Sequence, residues 1–237
     1  MSWNDKQAVK VITYLRDKYK IKDFVETGTY KGVNAKLHSN NFNRVFTCEK
    51  EIDLYNKAKR RLRNHDNVVH ILQNSPEFLK DFVNKYNADK CTDKVFIYLD
   101  AHFYDPNLPK GKGKFVILDE LKSLQGLDCI IAIHDFDNNL GHIRYDGISL
   151  DMDLVKPELK KINPNFNFYT NTLDSCDIVR PDHEDIQKAG LEYHKDVLDV
   201  LRIAWSEPRL TFRGILYALP TKLTDKELKD LGLRKWG

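Results

Sequence analysis

Two rhythms of apolar residues alternate along the chain. Short apolar-rich runs occupy 24–25, 44–48, 68–72, 95–99 and 129–133. Runs of this kind belong to strands buried on both faces of a sheet. Between them the apolar positions recur with helical period. Ala8, Val11, Ile12 and Leu15 mark a helix over 4–19 that Asn4 or Asp5 can cap. Ile52, Tyr55, Ala58 and Leu62 mark a second over 52–62, and a further helix begins at Val33. Ser75-Pro76-Glu77 opens a helix to about Tyr86, with Ser75 as the expected cap and proline in the first turn. Helices over 116–124 and 150–162, strands over 166–170 and 214–219, and a short helix capped at Thr224 complete the pattern.

Strand and helix alternate at least five times. That alternation predicts an α/β fold with helices on both faces of a mostly parallel, seven-stranded, doubly wound Rossmann-like sheet. The stretch 173–212 is polar, mixed and off the alternation, so it reads as an insertion within a single domain spanning 1–237. The loop 105–114 is rich in Pro, Gly and Lys and reads as a solvated surface loop.

With 237 residues the chain is long enough to bury a core without staples. Its net charge of +3 is too small to argue for a nucleic-acid or membrane partner, so a small-molecule partner is expected instead. The apolar runs are too short to span a bilayer, and the first residues lack the layout of a secretory signal. No pair among Cys48, Cys91, Cys129 and Cys176 has C-x-x-C spacing, which excludes zinc and thioredoxin-type readings. Cys48 and Cys129 fall in strand-like runs as small buried hydrophobes, as expected in a reducing cytoplasm. Nothing in the pattern specifies an oligomeric state.

In a doubly wound sheet, ligands bind beyond the carboxyl ends of the strands. The residues expected there are Glu26, Glu49, Asn74 and Ser75, Asp100 with His102, and His134 with Asp135. The first strand leads into a turn containing Gly28, Tyr30 and Gly32, where glycine permits tight turning and close approach. The three-glycine dinucleotide fingerprint is absent, which counts against a nicotinamide cofactor. Glu49 stands where a carboxylate can accept both hydroxyls of a ribose.

The series Glu26-x-Gly28-x-x-x-Gly32, Glu49, Asn74-Ser75-Pro76-Glu77-Phe78-Leu79 and Tyr98-Leu99-Asp100-Ala101-His102 resembles the class I S-adenosylmethionine-dependent methyltransferases. The resemblance covers 24–135, and Thr27 stands where many members carry a further glycine. It implies that the turn from Glu26 to Gly32, Tyr30 included, holds the amino-acid part of S-adenosyl-L-methionine. By the same resemblance Glu49 holds the ribose, Asn74 and Ser75 meet the adenine, and Asp100 faces the reacting centre. Within the class, Asp100-Ala101-His102 and His134-Asp135-Phe136 resemble the macrocin, cephalosporin-cluster and sugar O-methyltransferase branch. That branch implies a small-molecule hydroxyl acceptor, such as a sugar or polyol. It also implies Mg2+ or another divalent cation held by Asp100 and Asp135; metal-dependent catechol-type relatives carry an Asp-Asn pair after the fifth strand, which makes Asp135 with Asn138 a variant of that site. His102 and His134 are the alternative, as general base. Two rival classes stay open: a nicotinamide-dependent oxidoreductase of the same architecture, and a non-catalytic binding domain.

Overall fold

A computed structural model describes residues 6–91, 93–101, 116–139, 149–172 and 214–237. Among them eight strands form one sheet: β1 (Asp23–Thr27), β2 (Arg44–Glu49), β3 (Val68–Leu72), β4 (Val95–Leu99), β5 (Cys129–Phe136), β6 (Asn167–Asn171), β7 (Gly214–Leu219) and β8 (Leu233–Lys235). The order across the sheet is β3-β2-β1-β4-β5-β7-β6-β8. The first five strands run parallel, and β7 lies antiparallel between β5 and β6. The helices are α1 (Lys6–Tyr19), α2 (Val33–Ser39), α3 (Ile52–Leu62), α4 (Ser75–Ala88), α5 (Ile117–Ser123), α6 (Met152–Ile162) and α7 (Asp225–Leu231). None is long and apolar enough to cross a membrane.

The pleat sorts the strands' side chains into two cores. Val95, Ile97 and Leu99 of β4, with Cys129, Ile131 and Ile133 of β5, pack with α4, α5 and α6. Phe96, Tyr98, Ile130 and Ala132 point the other way and pack with α1, α2 and α3. Both faces of the central strands are buried, which is why these runs carry no polar alternation. Cys48 and Cys129 are buried and free, as their apolar surroundings require.

The sheet carries eight strands where the pattern predicted seven. The extra strand, β8, is three residues long, too short to leave a period, and pairs with β6 at the far edge. The fifth strand is longer than its apolar run suggests, because β5 continues through His134 and Asp135 to Phe136. The expected insertion over 173–212 and the loop over 105–114 lie outside the described residues.

Candidate active site

Register fixes which side chains meet. Thr27 pairs with Cys48 and with Leu99, and Leu99 pairs with Ile133. The carboxyl ends of β1, β2, β4 and β5 are therefore level, and the acidic residues that end them share one rim.

Glu26 is buried beneath this rim. Its carboxyl accepts from Asn34 Nδ2 at 2.6 Å and from Thr47 Oγ1 at 2.9 Å, and Thr47 is in turn 2.6 Å from the Thr29 hydroxyl. Burial pushes its pKa up to about 8 against the help of those two donors. The turn that follows is tight: Gly28, Tyr30 and Gly32 all have positive φ, at 78°, 50° and 73°. Gly28 is glycine for a steric reason. A Cβ there would stand 2.8 Å from the Asp100 carbonyl oxygen and 3.0 Å from Ala101 Cα. The space it leaves is filled by the end of β4 rather than lying open above the turn. A Cβ on Gly32 would stand 3.2 Å from Ala58 Cβ, so that glycine lets α2 start close against α3.

Glu49 ends β2 and is buried. Its two oxygens accept one backbone N–H each, from Tyr30 at 2.8 Å and from Glu51 at 3.0 Å. The carboxylate thus bridges β2 to the β1–α2 turn, and each oxygen keeps a lone-pair direction for another donor. At β3 the structure shifts one assignment. Asn74, not Ser75, caps α4, accepting the Glu77 N–H at 3.1 Å, while Ser75 is the first helical residue and is buried. Asn caps as well as Ser, so composition alone could not choose between them.

The ends of β4 and β5 bring three residues together. His134 Nδ1 lies 3.0 Å from Asp100 Oδ1 and 3.1 Å from Asp135 Oδ1. Burial disfavours the imidazolium, but the two carboxylates outweigh it and raise the His134 pKa. Asp100 is held below its usual range: burial opposes the charge, and His134 more than offsets it. The backbone here is strained. Asp135 has φ 56°, and the β5–β7 register slips between His134 and Phe136, leaving Asp135 as the extra residue of a bulge. The bulge turns Asp135 back toward His134 where a regular strand would send the two side chains to opposite faces. Gly214, which faces the bulge, is forced: a Cβ there would stand 2.0 Å from the Phe136 carbonyl oxygen.

Asn138 does not join this cluster. It is fully buried, and its amide donates to Thr170 Oγ1 and to the carbonyl and side chain of Asn171 at the end of β6. Arg234 of β8 donates to the Asn138 carbonyl, and Trp236 packs edge-on against Phe136 with centroids 5.2 Å apart. His102 lies outside the described residues. Sequence reading missed Thr47, Asn34 and Gly214. Thr47 sits in an apolar run where its hydroxyl is the odd polar group out, and that was the available signal.

The described architecture is the class I methyltransferase fold. It matches a candidate sarcosine dimethylglycine methyltransferase from Galdieria sulphuraria at a TM-score of 0.52 and 12% identity, covering 90% of this chain and 84% of that one. A candidate caffeoyl-CoA O-methyltransferase from Staphylococcus aureus matches at 0.48 and 16%, covering 89% and 81%. A candidate methyltransferase from Streptococcus mutans in complex with SAH matches at 0.47 and 13%, covering 89% and 97%. No protein-family model and no curated protein sequence matches the chain.

Proposed function

We propose that the chain is an S-adenosylmethionine-dependent O-methyltransferase acting on a hydroxyl of a small molecule, a sugar or polyol, with help from a divalent cation. The observation that carries this reading is the Glu49 carboxylate. On a methyltransferase fold it stands at the end of β2, pinned by the Tyr30 and Glu51 amides with lone pairs left over, as a vicinal ribose diol requires. When bound, the cofactor supplies an activated methyl group. The chain's own residues then orient the partners. Glu49 accepts from the ribose, the 26–32 turn holds the amino-acid end, Ser75 borders the adenine, and Asp100 and His134 receive the acceptor hydroxyl.

The donor set at the reacting end fits a cation. One ligand atom from each of Asp100, His134 and Asp135 lies within 4.8 Å of the others, and these three residues would hold the ion. An imidazole beside two carboxylates suits manganese or iron better than magnesium. A bound cation there would neutralise the two carboxylates and lower the pKa of an acceptor hydroxyl. The second reading has the same support from geometry: His134, raised in basicity by its neighbours, takes the hydroxyl proton unaided.

Calorimetry with S-adenosylmethionine and an assay for S-adenosylhomocysteine test the reading. Glu49→Ala is expected to weaken cofactor binding by about 1.5–3 kcal/mol, the range for a hydrogen bond to a charged group. Unchanged affinity rejects the assignment. Chelator is expected to suppress turnover, manganese or magnesium to restore it, and Asp135→Ala to lose that response. Full activity in chelator transfers the role to His134, whose alanine variant should then be slower by roughly 10²–10⁴.

A further inference from the structure

The net charge of +3 conceals a concentration of cations in one place. From 57 to 63 the chain reads Lys-Ala-Lys-Arg-Arg-Leu-Arg. These five cations outnumber the net charge of the whole chain, so everything else is net negative. Ala58 and Leu62 are the two residues of the window that pack inward. At 100° per residue the cations therefore cover the entire outward arc of the end of α3.

Lys31 lies against them from the β1–α2 loop. Arg61 Nη1 donates to the Lys31 carbonyl at 2.6 Å, and burial, with Lys57 and Arg61 beside it, lowers the Lys31 pKa. Among the described residues no carboxylate forms an ion pair with any of these six cations. Three of the cations, Lys59, Arg60 and Arg61, fall in the last turn of α3, where they complement the helix dipole. With Lys57, Arg63 and Lys31 beside them they make one positive face that attracts an anionic partner.

We propose that this face of α3 binds the phosphate backbone of a single-stranded nucleic acid. Half-buried aromatic rings flank the cations on both sides. Tyr30 lies beside Lys31, with Nζ 5.4 Å from the ring centroid. Tyr55 stacks on His70 at 4.3 Å, with Lys59 Nζ 6.0 Å from the Tyr55 ring. Cations that follow a backbone, with aromatic platforms beside them, are how proteins hold single strands without reading sequence. Within the window the two apolar residues point inward, so the cations themselves are not interleaved with exposed apolar groups, and the exposed Ile52 lies at the other end of α3. The binding does not depend on methyl transfer and is measured without cofactor, so either reading can fail alone.

The test is fluorescence anisotropy with a labelled mixed-sequence RNA of about 20 nucleotides. Affinity is expected to fall roughly 100-fold between about 50 and 200 mM salt, because each contacted phosphate contributes a slope near −0.7. Replacing Lys57, Lys59, Arg60, Arg61 and Arg63 together by Gln should abolish binding, whereas Lys80→Gln with Lys85→Gln on α4 should leave it intact. Should the fivefold variant fail to fold by circular dichroism, Lys57→Gln and Arg60→Gln singly should each flatten the salt slope by about 0.7. Absent saturable binding at low salt, affinity indifferent to these substitutions, or binding to phosphatidylserine vesicles but not to RNA overturns the proposal.

Discussion

Glu26 and His38 are both buried, and burial drives each to its neutral form. Glu26 is pushed up to about 8, by burial first. His38 packs against the Phe24 and Phe42 rings and is lowered to about 3, again by burial first. The linkage signs are opposite. Glu26 holds a proton in the folded chain that the unfolded chain releases above its ordinary pKa, so its contribution is complete at low pH and is lost as pH rises through about 8. His38 contributes fully above its ordinary pKa of 6.5, and that contribution is lost as pH falls toward about 3. Stability from these two groups is expected to be flat between their ordinary pKa values, 4.5 and 6.5, where the slopes cancel, and to fall on either side by a few kcal/mol. Denaturant titrations across pH check this: Glu26→Gln should flatten the alkaline limb and His38→Phe the acid limb. Gly28→Ala is expected to lower stability by about 1–3 kcal/mol, because its Cβ meets the Asp100 backbone and its φ is positive. A Gly28→Ala chain as stable as the parent in thermal melts would contradict that contact. The need for glycine at this position was legible in the sequence. What it makes room for was not, since the neighbour comes from 72 residues further on.

The element that shapes the Asp100–His134–Asp135 cluster is the bulge in β5. The apolar run 129–133 made the strand legible, and His134-Asp135 marked its polar end. Nothing local indicated that the strand continues through them, because the continuation depends on β7, paired from beyond the 173–212 stretch. The bulge in turn depends on Gly214, so Gly214→Ala is expected to be among the more damaging single-methyl additions, at about 2–3 kcal/mol. Its diagnostic effect would be on the site. If the Phe136 carbonyl has to move, Asp135 moves with it, and catalysis should fall further than stability alone explains. Parallel stability and turnover losses would assign Gly214 to packing only. At the other end of the sheet, Arg44 grips the buried Asp23 through Nε at 2.8 Å and Nη2 at 2.5 Å. Arg44→Ala strands that carboxylate, and chemical denaturation should register a loss of about 1–3 kcal/mol, less than for a fully buried pair because Arg44 is half exposed.

Across the whole molecule the two ends of the described chain meet each other, and the later one also reaches the end of β5. Gln7 Nε2 of α1 donates to the Leu231 carbonyl at 2.7 Å, while Arg234 of β8 reaches the Asn138 carbonyl just after β5 and Trp236, following β8, packs on Phe136 at the end of β5. Trp236→Ala is expected to destabilise by about 1–2 kcal/mol through the lost Phe136 contact, and a thermal melt unchanged from the parent would show that Trp236 does not brace the end of β5. The sequence by itself determined the layers, the strand-helix alternation and the rim of polar strand ends, because period and run length are local properties that each core face writes directly into the chain. It also located Glu26, Glu49, Asp100 and Asp135 as a set, because parallel strands of similar length bring their ends level. Only the tertiary structure decided which of these carboxylates meet. It placed Asp100 with His134 and Asp135, sent Asn138 into a buried network with Asn171, and tied Glu49 to the Tyr30 amide. Each of those contacts joins segments from separate strands or loops, and their geometry is set by register, a bulge and close backbone approach, none of which leaves a local period to read.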